Sequence, residues 1–183
     1  MIDFSLQNGY YIVTGGLGLL GIKHAEAISQ FGGVPIILDV HKNGFNELKY
    51  DLKRKYDIEP LFMLTDITSE TSLRKALKDI KKLSLNLKGL INNAARNPSV
   101  SSEGLTNLNR IEDFDVNDWN SDIAVGLTGA FLCIKHFAPL INDCGGGSIV
   151  NISSDLGLIA PNQNLYKKTD QVEDQNPVKP VSY

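Results

Sequence analysis

Three glycines at regular spacing, Gly15-x-x-Gly18-x-x-Gly21, stand between a short apolar run (Tyr10, Tyr11, Ile12, Val13) and an amphipathic stretch that opens at Leu19. A strand, a glycine-rich turn and a helix in that order make a cradle for phosphate. Glycines let the backbone turn tightly and approach a pyrophosphate, and the free N–H groups at the helix start face the anion. Thr14, Gly15, Leu17, Gly18, Leu19 and Gly21 are the candidate cofactor-binding residues of this turn. The plain alternative is an ordinary strand-to-helix turn, since glycine-rich turns are common. A second apolar run (Val34, Pro35, Ile36, Ile37, Leu38) ends in Asp39. That acid stands roughly 20 residues past the glycines, where dinucleotide-binding folds hold the adenosine ribose. A carboxylate there accepts hydrogen bonds from ribose hydroxyls and repels a 2′-phosphate, which favours NAD over NADP. Lys42 nearby softens that preference, and a helix cap or turn is the structural alternative for Asp39.

Two further positions could do chemistry. Ser153 and Ser154 follow an apolar run beginning at Ser148. A hydroxyl at the carboxyl end of a parallel strand sits where ligands bind in open α/β sheets. A Ser-Ser turn is the structural alternative. Tyr183, after Pro180-Val181-Ser182, is a phenol that could exchange a proton; the alternative is a tyrosine that only packs.

The elements that must position these residues follow from periodicity. Leu20, Ala25, Ala27, Ile28 and Phe31 have helical spacing, and Gly32-Gly33 stops that helix. The continuous apolar run from Val34 to Leu38 fits a strand buried on both faces, with Pro35 tolerable only near its start. Phe45, Leu48 and Leu52 mark a charged helix over residues 43–56. Residues 60–64 read as a third strand, running into Thr65-Asp66-Ile67-Thr68. Leu73, Leu77 and Ile80 line one face of a helix capped by Thr68 or Ser69. Residues 87–91 form a fourth strand that enters Asn92-Asn93-Ala94-Ala95. Residues 113–142 read as one long helix, and residues 155–182 as a loop.

Composition bounds the class. With 183 residues, 42% of them hydrophobic, the chain can bury one domain core. A net charge of −3 without a basic block argues against nucleic acid and against an anionic membrane surface. The N-terminus lacks a basic region followed by an apolar one, and no apolar run reads as long enough to span a bilayer. Cys133 and Cys144 lack C-x-x-C spacing and read as reduced thiols of a cytoplasmic protein. His24, His41 and His136 form no metal-ligand pattern, so no metal is expected.

Thr14-Gly-x-x-Gly-x-x-Gly, Asp66, Asn92-Asn93-Ala94 and Ser153-Ser154 occur in the order found in the short-chain dehydrogenase/reductase family, which the chain resembles from about Asp3 to its last residue. The resemblance implies an α/β Rossmann-type doubly wound parallel sheet with strand order 3-2-1-4-5, here C-terminally incomplete: one nucleotide-binding domain over residues 1–183 without its last helix and strand units. It implies that Asp66 contacts the adenine amino group and that the Ile67 side chain packs on the ring, while capping of the next helix remains open for Asp66. Asn93, Ala94 and Ala95 would line the nicotinamide ribose pocket; Ala95 replaces the family's glycine. Ser154, with Ser153 second, would orient the substrate, and Tyr183 would be the general acid/base. A tyrosine titrates near 10 and needs a neighbouring cation to act at neutral pH. The family's lysine for that task would lie four residues past Tyr183 and is absent. The family also carries an asparagine in a Val-Asn-x-x-Gly pattern; here Val125 is followed by Gly126, which has no side chain to relay a proton. The long helix would pack against a copy of itself in a homo-oligomer, a dimer or tetramer.

Three functions compete. The preferred one is an NAD(H)-dependent oxidoreductase acting on a small alcohol or carbonyl substrate, weakly active or inactive as this chain. The second is a sugar-nucleotide epimerase or dehydratase of the family's extended branch, whose glycine spacing is closer, although Asn92-Asn93-Ala94 is the dehydrogenase form. The third is a non-catalytic dinucleotide-binding module, for which Gly126 and the missing lysine argue.

Overall fold

The structure is a computed structural model, which describes residues 4–96, 110–160, 162–166 and 182. Five parallel strands form one sheet in the order β3-β2-β1-β4-β5. They are β1 (Tyr10–Thr14), β2 (Val34–Asp39), β3 (Leu61–Leu64), β4 (Leu87–Asn92) and β5 (Ser148–Asn151). Between them run α1 (Leu19–Gln30), α2 (Phe45–Tyr56), α3 (Glu70–Lys82), and a long helical stretch made of α4 (Val116–Ile123), a π-helical segment (Ala124–Gly129) and α5 (Ala130–Asp143). The expected strand order is the one observed.

Alternation within the apolar runs divides the core into two layers. Ile12, Ile36 and Leu38 face one side, with Leu73, Ile80, Leu90 and Phe137. Val13 and Ile37 face the other, with Ala25, Ile28, Phe45, Leu48 and Leu52. A sheet covered on both faces needs apolar residues at every position of its central strands, which is why β2 shows no polar alternation. Pro35 costs no ladder bond to β3, because that pairing begins at Ile36, opposite Leu61.

Helix ends follow local chemistry. Ser69 caps α3 by accepting the Ser72 N–H at 3.3 Å, which decides between the two expected caps. Asp115 accepts the Asn117 N–H at 2.6 Å, so α4 starts at Val116, three residues after the expected start. Gly44, left-handed at φ +85°, delays α2 to Phe45. Glu70, in the first turn of α3, takes Lys135 of α5 on Oε1, and His136 Nε2 lies 3.6 Å from the same oxygen. Lys88 of β4 donates to the carbonyl oxygens of Cys144 and Gly146 and so fastens the turn between α5 and β5.

Two expectations change. Among the described residues one helical stretch, Val116–Asp143, is long and apolar enough to cross a membrane by length and composition. The sequence reading missed it because Asp118, Asp122 and Lys135 interrupt the run. Leu132, Cys133, Phe137 and Ile141 of this stretch pack into the core, and a core helix passes the same test of length and composition. The stretch is also not one regular α-helix, since residues 124–129 widen to π pitch. All four residues of β5 are exposed, Ile149 at 37% and Val150 at 45%. Leu127 and Phe131 on the long helix are exposed as well.

Candidate active site

The glycine turn is fixed by contacts that leave no room for side chains. Gly15 has φ +58°, and a Cβ there would lie 2.9 Å from Ala94 Cα. A Cβ on Gly21 would lie 2.2 Å from the Gly15 carbonyl oxygen, so α1 sits against the turn at glycine distance. Gly18 is the N-cap of α1 and offers no side-chain acceptor to the first-turn N–H groups. Leu19 is almost fully exposed in that turn. An uncapped helix start beside a turn without Cβ atoms is a place for phosphate.

Thr14, wholly buried, is the hub behind the cradle. Its Oγ1 accepts the N–H groups of Asn93 and Ala94, each at 3.0 Å, and donates to the Ile91 carbonyl at 3.4 Å. Asn93 Nδ2 returns to the carbonyl oxygens of Thr14 and Gly15, at 2.9 and 3.1 Å. The ends of β1 and β4 are thereby one hydrogen-bonded unit. Asn92 Nδ2 donates to Asn151 Oδ1 at 2.8 Å and joins β4 to β5.

Asp39 closes the other side. Its Oδ2 accepts the Leu17 N–H at 3.0 Å, and Oδ1 accepts the His41 N–H at 3.2 Å. The acid therefore belongs to the glycine turn, and it caps no helix. Asp66 spends Oδ1 on the backbone N–H and hydroxyl of Thr68, at 2.9 and 2.7 Å, and the residue is exposed. The Ile67 side chain is 6% exposed and lies in the core beside Gly129.

Ser154 stands past the end of β5. Its hydroxyl accepts the Leu156 N–H at 3.2 Å and donates to Asp155 Oδ1 at 3.1 Å, while Ser153 is exposed. Ala95 is exposed at the β4 turn. Tyr183 lies outside the described residues. Thr14 and Gly15 are thus joined to Asn93 and Ala94, and Leu17 to Asp39, while Asp66 follows β3 and Ser154 follows β5, at opposite edges of the sheet but past the same carboxyl ends.

Three residues escaped the sequence reading. Arg96 Nη2 is 2.6 Å from Asp118 Oδ1, and Nη1 is 3.2 Å from Asp122 Oδ1. The Asp118 hydrogen bond raises the already high pKa of the guanidinium. Two acids four residues apart on one helix were the available signal, but nothing in the sequence named their partner. The π-helical segment around Gly126 was also invisible, although π-bulges often occur at functional sites.

The family profile described as short chain dehydrogenase matches residues 10–167. An NAD-dependent glycerol dehydrogenase of Listeria innocua is 26% identical over 163 residues, covering 89% of this chain and 59% of that protein. The fold matches NAD+-bound xylitol dehydrogenase with a TM-score of 0.73 at 21% identity, over 85% of this chain and 56% of that one. It matches the NADPH-dependent 3-quinuclidinone reductase of Rhodotorula rubra with a TM-score of 0.73 at 23% identity, over 87% and 57%. The chain spans less than two thirds of each of these proteins. A strand–glycine–helix cradle, an acid at the end of β2, an Asn-Asn turn after β4 and a profile match over most of the sequence agree, and the chain belongs to the short-chain dehydrogenase/reductase family.

Proposed function

We propose that the chain is part of an NAD(H)-dependent oxidoreductase that moves a hydride between a nicotinamide and the carbon of a small alcohol or carbonyl substrate. The observation that carries this reading is Asp39, whose carboxylate is bound to the Leu17 N–H on the rim of the glycine turn. A ribose hydroxyl beside it can donate to the same carboxylate. A 2′-phosphate would meet like charge there, worth roughly 4 kcal/mol per unit charge at 4 Å near a protein surface.

The nicotinamide, when bound, gives or takes the hydride. The chain's own groups bind and orient. The first turn of α1 holds the pyrophosphate, Asp39 the adenosine ribose, and Asp66 Oδ2 is left for the adenine amino group. Asn93 keeps the β1 and β4 turns in register, and Ala94 and Ala95 leave space at the strand end. Ser154 donates its hydroxyl to the substrate oxygen after releasing Asp155. Tyr183 holds or delivers the proton at that oxygen. The exposed Val116, Leu127 and Phe131 suit a second copy of the chain.

Titrating NADH and NADPH into the chain, followed by calorimetry or nicotinamide fluorescence, tests the cofactor half without turnover. NADH is expected to bind more tightly, and Asp39→Ala to weaken it by about tenfold through loss of a charge-assisted hydrogen bond. Equal or tighter NADPH binding would overturn the NAD assignment. Binding of neither would overturn the oxidoreductase reading for this chain.

A further inference from the structure

The sheet order fixes which way a dinucleotide must run. The strands step outward from β1 through β2 to β3 on one side and from β4 to β5 on the other, and open α/β sheets bind ligands in the crevice at such a switch. With Asp39 and Asp66 on the β2 and β3 side taking the adenosine half, the second half of a dinucleotide lies on the β4 side, where Ala94 and Ala95 stand. That turn is held from two directions. Thr14 Oγ1 accepts the Ala94 N–H at 3.0 Å, and among the described residues the hydrogen bonds of Thr14 reach no further along the turn. From the other direction the Arg96 guanidinium spans two carboxylates of α4. Nη2 donates to Asp118 Oδ1 at 2.6 Å, and Nη1 to Asp122 Oδ1 at 3.2 Å and to the Asp118 carbonyl oxygen at 3.4 Å. Asp118 and Asp122 are four residues apart and share one helix face. The Asp122 side chain is only 14% exposed, and its Oδ2 accepts a hydrogen bond from the Ser182 hydroxyl. Ala95, exposed and without a polar group in its side chain, stands between the two anchors.

We propose that Arg96, clasped by Asp118 and Asp122, is a positioning residue for the nicotinamide half of the cofactor: the clasp sets where Ala94 and Ala95 stand at the end of β4 and leaves the adenosine half untouched. The proposal rests on the oxidoreductase reading above. A lone exposed ion pair would hold little, but one planar guanidinium shared by two carboxylates and a carbonyl has its orientation fixed by several charge-assisted bonds at once. Arginine suits the task because its forked donors reach both acids of the helix face from a single side chain.

Calorimetric titrations of NADH and of adenosine diphosphate test this. Adenosine diphosphate carries the adenosine and the pyrophosphate but neither the second ribose nor the nicotinamide. Arg96→Ala is expected to weaken NADH by about fivefold to tenfold, because the turn must then be ordered at binding. The same variant should leave adenosine diphosphate within about twofold, because the glycine turn and Asp39 lie on other elements. Asp118→Ala, which leaves the Asp122 contact with Ser182 in place, should weaken NADH in the same direction. The double variant should be no worse than Arg96→Ala alone, since both changes open one clasp. Equal losses for the two ligands would mark a merely structural clasp and overturn the proposal. NADH affinity unmoved by Arg96→Ala, or fully additive losses in the double variant, would overturn it as well. Should Arg96→Ala fail to fold by circular dichroism, Asp118→Ala decides in the same way. A parent chain that binds neither ligand strikes the oxidoreductase reading and the proposal with it, whereas NADH binding indifferent to Arg96 strikes the proposal alone.

Discussion

Gly21→Ala tests the cradle most directly. The added Cβ would lie 2.2 Å from the Gly15 carbonyl oxygen and 2.7 and 2.8 Å from two Gly16 backbone atoms. None of these is a side chain that can rotate away, so α1 must withdraw from the turn by about 1 Å to restore ordinary contact. Overpacking of this kind costs about 1–3 kcal/mol. For a domain of this size each kcal/mol lowers Tm by roughly 2–4 °C. On the proposed reading that the first turn of α1 holds a pyrophosphate, the same shift takes its N–H groups off that group, so NADH affinity should fall by about tenfold or more, the equivalent of roughly 1.4 kcal/mol. Gly126→Ala is the internal control. Nothing lies within 4 Å of its Cβ, and alanine gains up to about 1 kcal/mol over glycine in a helix. Circular-dichroism melts and calorimetric titrations of both variants decide the matter. A Gly21→Ala chain that melts and binds like the parent, or a Gly126→Ala chain that is the worse of the two, would refute the steric account of the glycine spacing.

Other consequences are as open to measurement. Thr14→Val keeps the shape but orphans the N–H groups of Asn93 and Ala94, and should cost about 2–4 kcal/mol in urea unfolding, whereas Thr14→Ser should cost far less. Lys135, and then Arg74, hold the Glu70 carboxyl below its ordinary 4.5. A depressed folded pKa stabilises above the unfolded value and loses that effect as pH falls through the folded one. Glu70→Gln should therefore lower the urea midpoint at pH 7, and the gap should close below about pH 4; a gap that persists in acid would show that the clasp is not ionic. Burial pushes the Cys133 thiol up to about 12, while Cys144 is partly exposed. Ellman's reagent at pH 8 should titrate one thiol in the native chain and both after unfolding; two fast native thiols would contradict the buried position.

The sequence made the sheet legible because each apolar run is short, continuous and followed by a polar turn at the strand's carboxyl end. The places of Asp39 and of the glycines at the strand ends were legible for the same reason, since they follow from spacing along the chain. Ile67 shows the limit. Its neighbour Asp66 stands outside and Ile67 itself turns into the core, a choice made by α3 and the long helix and not by local pattern. Arg96 and Asp122 are 26 residues apart and Asp122 and Ser182 are 60 apart, so only the folded chain brings them together. The π segment has no local signature beyond Gly126 and Gly129, and both glycines are equally compatible with a straight helix.

The exposure of β5 has a dynamic consequence. Among the described residues this strand is hydrogen-bonded on one edge only, to β4, and every residue of it is exposed. Local opening follows the least buried element, so amide exchange should run fastest in β5 and slowest in β1 and β2, whose central residues are fully buried. Ser154 follows the end of that strand by three residues, so its position is only as steady as the pairing of Gly89 to Asn92 with Ser148 to Asn151. Whatever lies over the outer edge of β5 would raise the free energy of opening there, and would steady the serine without touching it.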